Sequence, residues 1–129
     1  MSGTITSFSH INRRVRNMDE TIDFYTRHLG FYLLRRFLRG ERESAYIGLG
    51  DVLFELFVAA DASELPREGE GRLGLTVTGL DDVVARLRAA GIEVVEEPAV
   101  MTTFWGRQAS IRDPNGYQIA LREWEAPDG

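Results

Sequence analysis

The amino-acid sequence predicts an α+β fold in which one βαβββ unit occurs twice. Each half of the chain begins with a strand-like run and continues with an amphipathic helical pattern that ends at a glycine. Three more strand-like runs then close each half. We place the two units at about residues 4–60 and 71–125 of a single domain, joined by a linker over residues 61–70.

The first unit contains a predicted strand over residues 4–15, in which apolar and polar side chains alternate. A helix follows, and either Asn17 or Asp19 is expected to cap its first turn. Gly30 ends the helix in the left-handed conformation that glycine adopts easily. The helix has an apolar face of Met18, Ile22, Tyr25 and Leu29, and the predicted strands after it are FYLLRRFLR, SAYIGLG and DVLFELFVA.

The second unit repeats this order of elements and allows a position-by-position alignment with the first. Its predicted strands are RLGLTVTG, IEVVEEP, RQASIRD and GYQIALREW, and its helix has the apolar stripe Leu80, Val83, Val84 and Leu87 before Gly91. Aligning the ends of the two first strands places His10 on Arg72. Aligning the FEL and IAL segments of the two last strands places Glu55 on Ala120.

The composition excludes several classes of chemistry and partner. The chain has 129 residues and no cysteine, so it forms no disulfide, thiolate nucleophile or cysteine-ligated zinc site. Its 15 basic residues are all arginine, which excludes lysine Schiff-base chemistry, and 20 acidic residues outnumber them. This balance argues against a nucleic-acid partner. The first residues lack the profile of a signal peptide and no apolar stretch is long enough to span a bilayer, so we expect a cytoplasmic protein with no membrane partner.

Three segments carry a resemblance to a known superfamily: DETIDFYTRHLGFYLLRR in the first unit, and VTGLDDVVARLRAAGIEV with RDPNGYQIAL in the second. The sequence resembles the vicinal oxygen chelate superfamily, which contains glyoxalase I, bleomycin-resistance proteins, fosfomycin-resistance transferases and extradiol dioxygenases. The resemblance implies paired modules that form a curved sheet or half-barrel with the helices outside, and a homodimer. It specifies no single activity, because these enzymes and binding proteins share one fold.

The resemblance also implies four metal-ligand positions, in the first and last strand of each unit. In this sequence they hold His10, Glu55, Arg72 and Ala120. Only the first two are metal-ligand residues, since the guanidinium of arginine stays protonated and alanine has no donor atom. We therefore predict neither a metal nor another cofactor, a divalent metal being the alternative. Because a buried carboxylate needs a partner, we expect Glu55 to form an ion pair with Arg72, within one subunit or across a dimer.

Residues that alternate with these positions should share their sheet face and line a ligand cavity. The loop MTTFWGRQ can present an indole to that cavity, where it can stack on a planar ligand or simply cover the sheet edge. His10 with Glu55 can act as a general base, or be a hydrogen-bonded and inert pair. The predicted ligand-binding residues are His10, Asn12, Glu55, Phe57, Arg72, Trp105, Gln118 and Arg122.

The function predicted from these residues is metal-independent binding of a small molecule, either antibiotic-like or an aromatic metabolite. The alternative is a metal-dependent lyase, isomerase or dioxygenase that uses His10 and Glu55, with the metal held weakly or completed by the substrate. A structural or regulatory subunit is a third possibility, and an occluded cavity would indicate it.

Overall fold

The computed structural model describes residues 2–125 of the 129-residue chain. The chain divides into two compact units, Met1–Leu65 and Pro66–Gly129, and each unit has its own four-stranded sheet. Both units follow the predicted order of strand, helix and three strands. The α+β class and the repeated βαβββ unit are therefore confirmed.

The first unit consists of β1 (His10–Val15), α1 (Met18–Asp23), a π-helical turn (Phe24–His28), β2 (Tyr32–Arg39), β3 (Arg42–Leu49) and β4 (Val52–Val58). Its sheet has the order β1-β4-β3-β2. Strand β1 runs parallel to β4, whereas β2, β3 and β4 form antiparallel pairs. The first and last strands of the unit are therefore neighbours, which brings their side chains to one place.

Helix α1 begins as the sequence predicts, but it gives way to the π-helical turn after Asp23, before the predicted end at Gly30. Of the two candidate caps, Asn17 is the one used, because its side-chain oxygen accepts a 2.9 Å hydrogen bond from the backbone N–H of Glu20. Gly30 has a φ of +77° and follows the π-helical turn, so the chain reverses there without the strain that a side chain would add. Met18 and Tyr25 are buried against the sheet.

The second unit consists of β5 (Leu73–Thr76), α2 (Leu80–Ala89), β6 (Val94–Val100), β7 (Gly106–Arg112) and β8 (Gln118–Trp124). Its sheet has the order β5-β8-β7-β6, with β5 parallel to β8 and the other neighbours antiparallel. The topology is that of the first unit. A short 3-10 turn, Ala62–Glu64, lies in the predicted linker.

The apolar stripe of α2 packs as predicted. Leu80, Val84 and Leu87 are buried, and burying each leucine stabilises the fold by about 1.5–3 kcal/mol. They face the core side of the second sheet, where Ile119 and Leu121 are fully buried. Within residues 2–125, no helix is long and apolar enough to cross a membrane.

The first strand is shorter than predicted. It begins at His10 rather than at residue 4. Its partner β4 begins at Val52, directly after the Gly50 turn, and the pairing starts with His10 opposite Leu53. The residues before His10 therefore have no ladder partner on β4, although their sequence alternates as a strand does.

Candidate functional site

One face of the first sheet gathers the four site residues predicted for that unit. Strand register places Asn12 and Tyr46 opposite Glu55 on either side of β4. Because side chains alternate along a strand, His10 shares the face of Asn12, and Phe57 shares the face of Glu55. The predicted grouping of His10, Asn12, Glu55 and Phe57 on one face thus agrees with the register.

The carboxylate of Glu55 is buried and fully engaged. The residue is 2 % exposed. Its Oε1 atom forms an ion pair with Arg39, and its Oε2 atom accepts a 3.0 Å hydrogen bond from the hydroxyl of Tyr46. The Nε2 atom of His10 lies 3.5 Å from Oε2. This arrangement compensates the buried charge through an arginine, a phenol and an imidazole.

Within its own unit, Glu55 has a partner other than the predicted Arg72, and the predicted pair across a dimer stays a prediction. An arginine does pair with this carboxylate, but it is Arg39 of the same unit, and Arg72 instead donates a hydrogen bond to Gln118. Arg39 lies at the end of β2, and its long side chain reaches past β3 to β4. Arg39 pairs with Arg42 on β3, and Arg42 shares the sheet face of Tyr46 and Glu55, so the strand register places Arg39 on that face too.

Tyr46 gives this cluster a measurable pH response. Its hydrogen bond to the Glu55 carboxylate, and to a smaller extent burial and the same negative charge, raise the pKa of Tyr46 above its usual value. The hydrogen bond therefore stabilises the folded state fully below the unfolded-state tyrosine pKa of about 10. This contribution is lost as the pH rises through the higher pKa of Tyr46 in the folded state.

In an alkaline absorbance titration, we expect Tyr46→Phe to remove a late-titrating tyrosine and Glu55→Gln to lower the pKa of Tyr46. Identical titration curves for wild type and Tyr46→Phe above the usual range would contradict this assignment.

Phe57, the aromatic residue predicted on this face, is flanked by arginines. The guanidinium carbon of Arg14 lies 5.1 Å from the ring centroid, and that of Arg42 lies 5.5 Å from it. Both distances fit cation–π contacts. The structure thus gives Phe57 a packing role, and its contact with a ligand stays a prediction.

The second unit contains a cavity of about 320 Å³ on the corresponding sheet face. Two predicted ligand-binding residues, Arg72 and Arg122, line it, together with Ala120 from the fourth metal-ligand position. Gln118 adjoins it through its hydrogen bond from Arg72. The remaining lining residues are Leu73, Gly74, Leu75, Thr76, Gln108 and Trp124.

A hydrogen-bond network fixes Arg72 at one end of this cavity. Gln118 is 4 % exposed, and its Nε2 atom donates to Glu96 at 2.9 Å and to the hydroxyl of Ser110 at 3.0 Å. An ionised carboxylate only accepts hydrogen bonds, so the amide nitrogen of Gln118 must face Glu96. Its Oε1 atom then accepts a 3.1 Å hydrogen bond from Nη2 of Arg72.

Arg122 is held at the other end by an amide and by aromatic rings. Its Nε atom donates a 2.8 Å hydrogen bond to Oε1 of Gln108. Its guanidinium carbon lies 4.4 Å from the ring centroid of Phe104 and 5.6 Å from that of Trp124. The rings of Phe104 and Trp124 themselves pack with centroids 4.6 Å apart.

The tryptophan that lines the cavity is Trp124, which the sequence reasoning missed. Trp105 is 66 % exposed and is absent from the described lining, so its assignment to the ligand site stays a prediction. The alternation used to group Gln118 with Arg122 extends two residues further to Trp124.

The donor set does not fit the four-ligand metal site that the resemblance implies. His10 and Glu55 meet in the first unit, but Arg39 and Tyr46 already bind the carboxylate. In the described part of the chain, no group of three or more histidine, aspartate or glutamate side chains could hold a metal ion. Neither Arg72 nor Ala120 supplies a donor that would complete such a site.

Comparison with known proteins identifies the superfamily. Residues 7–121 match the glyoxalase/bleomycin resistance protein/dioxygenase superfamily. The chain belongs to this superfamily. A probable lactoylglutathione lyase from Vibrio cholerae is 31 % identical over 87 % of this chain and 86 % of its own length. A longer lactoylglutathione lyase from Arabidopsis thaliana is also 31 % identical over 88 % of this chain, which spans 43 % of it.

A solved structure with a similar fold represents a second type of protein. An antibiotic-binding protein from Streptomyces superposes with a TM-score of 0.77 at 25 % identity, covering 96 % of this chain and 100 % of the other. The superfamily predicted from the FY...LGF and DPNGY segments is therefore confirmed. Membership alone leaves lyase and binding functions both open.

Proposed function

We propose that this superfamily member binds a small molecule, antibiotic-like or an aromatic metabolite, without a metal ion. The observation that carries the proposal is the state of Glu55, whose two oxygens bind Arg39 and Tyr46. At the other two expected metal-ligand positions, Arg72 and Ala120 line a cavity of about 320 Å³. That volume suits a small ligand. The similarity to an antibiotic-binding protein supports the same function.

The proposed setting is a cytoplasmic homodimer with a small-molecule ligand and no nucleic-acid or membrane partner. The excess of acidic over basic residues supports the exclusion of nucleic acid. Pairing of the units within a chain or between chains is compatible with the proposal, because the residues that line the described cavity all belong to the second unit.

A metal-dependent lyase, isomerase or dioxygenase is the competing function. The 31 % identity to a probable lactoylglutathione lyase over 87 % of the chain favours it. For this function, Glu55 would have to release Arg39 and Tyr46 before it could bind a metal with His10. Arg72 would also place a positive charge near the ion if the four positions converge as the resemblance implies.

Two assays on the purified protein separate these functions. We expect an aromatic probe to bind saturably in a buffer containing EDTA, measured by equilibrium dialysis with 2-naphthoate, 2-naphthamide and 2-naphthylmethylamine. We also expect no lactoylglutathione lyase turnover with added nickel, zinc, iron or manganese, while a known lyase serves as the positive control. Metal-stimulated turnover that Glu55→Gln abolishes would contradict the proposed function.

A further inference from the structure

We propose that the cavity of the second unit selects a planar aromatic molecule that carries a carboxylate or another oxyanion. The proposal names the ligand class of the binding function proposed above and rests on it. Two arginines and an indole line the cavity, and its described lining contains no acidic side chain. The protein as a whole has a net charge of −5, so this local excess of positive charge runs against its composition.

Both arginines keep their positive charge available because neutral groups hold them. Arg72 donates to the amide of Gln118, and Arg122 donates to the amide of Gln108. Within residues 2–125, neither guanidinium forms an ion pair with a carboxylate. Each guanidinium has five N–H donors and uses one of them in these bonds, so the others can bind a ligand oxyanion.

Glu96 is the acidic residue that the hydrogen-bond network connects to Arg72, and the amide of Gln118 lies between the two. The Oε1 atom of Glu96 accepts hydrogen bonds from the hydroxyl of Ser110 and the amide of Gln118. It therefore orients the amide instead of neutralising the arginine. The network acts as a support that points Arg72 in one direction and limits the entropy lost when a ligand binds.

Two small residues lie side by side on the floor of the cavity. Gly74 on β5 pairs with Ala120 on β8. A Cβ atom built on Gly74 would have no heavy atom within 4 Å. Arg72, hydrogen-bonded to Gln118, lies toward one end of this floor, and Arg122 with Trp124 lies toward the other. Gln118 and Arg122 are four residues apart on β8, which corresponds to about 13 Å along the strand. A planar ring can therefore lie on the floor with its charged substituent at either arginine.

The first unit offers a useful contrast. Its cavity of about 510 Å³ is lined by Arg39 and Arg42 but also by Glu41 and Glu43. Arg39 is further neutralised by its ion pair with Glu55. Arginine and glutamate side chains balance each other in the lining of the first cavity, whereas the lining of the second cavity has arginines and no acidic residue. Anion selection is therefore assigned to the second cavity.

The charge of the probe tests this inference. Equilibrium dialysis of the full chain should show 2-naphthoate binding at least tenfold more tightly than 2-naphthamide, and 2-naphthylmethylamine binding weakest. Arg72→Gln and Arg122→Gln should each weaken 2-naphthoate binding about twofold, because the carboxylate can still bind at the other arginine. The double variant should weaken it about tenfold, and all three variants should leave 2-naphthamide binding unchanged. The control Arg67→Gln, an exposed arginine outside the cavity lining, should alter neither. Added salt should weaken only the binding of the anion.

A blocking variant locates the binding. Gly74→Val places a β-branched side chain on the cavity floor, where it meets no neighbour at Cβ, so the fold should persist and all probe binding should be lost. Equal affinities for the three probes would overturn the anion inference and leave the binding function standing. Undiminished 2-naphthoate binding in Gly74→Val would overturn the assignment to this cavity, and absence of all probe binding would overturn the inference itself. Metal-stimulated lyase turnover is the separate result that refutes the proposed function.

Discussion

Replacing Gly106 with alanine should lower the free energy of unfolding by about 3 kcal/mol. Gly106 opens β7 opposite Trp124 and has a φ of +151°, a conformation that residues with a side chain avoid. An added Cβ would lie 2.2 Å from the backbone oxygen of Glu123 and 2.8 Å from the ring of Phe104. The backbone of β8 must therefore move, and with it the end of the cavity that Trp124 forms.

A matched substitution separates the clash from the backbone strain. Gly50 also has a positive φ, +59°, but an added Cβ there would meet nothing within 4 Å. Gly50→Ala should therefore cost about 1 kcal/mol, the strain of the left-handed conformation alone. Urea unfolding followed by circular dichroism measures both losses. Equal losses for the two variants would contradict the close approach of β7 and β8 at Gly106.

The fold was largely predictable because its elements are marked by local chemistry. The helix cap, the reversal at Gly30 and the apolar stripe of α2 depend on residues close in sequence. The structure shows a cap at Asn17, one of the two candidates, a positive φ at Gly30, and burial of three of the four stripe residues. The start of β1 was not predictable in the same way. Strand pairing depends on a partner some forty residues away, and that partner begins only at Val52.

The sheet face on which each site residue lies could be predicted, but its side-chain contacts could be predicted only in part. Alternation predicted that Gln118, Ala120 and Arg122 share one face of β8, and Ala120 and Arg122 do line the same cavity. It did not select Arg39 as the partner of Glu55, because arginine has a long and flexible side chain whose reach depends on the sheet geometry. Residues such as Glu96 and Ser110, which orient Gln118, stand out only once the strands are paired.

The wild-type chain should retain no divalent metal after dialysis. Both oxygens of Glu55 are bound, by Arg39 and by Tyr46, so a metal ion would have to displace both groups. The third and fourth positions that the superfamily resemblance implies hold Arg72 and Ala120, and neither supplies a metal ligand.

The most direct test is therefore the metal content of the wild-type chain beside that of Glu55→Gln. Both proteins are dialysed against nickel, iron, zinc and manganese, then against metal-free buffer, and analysed for each element. Metal-independent binding predicts no retained metal in either protein. One equivalent of metal in the wild type, lost in Glu55→Gln, would contradict it and identify His10 and Glu55 as ligands of a catalytic ion.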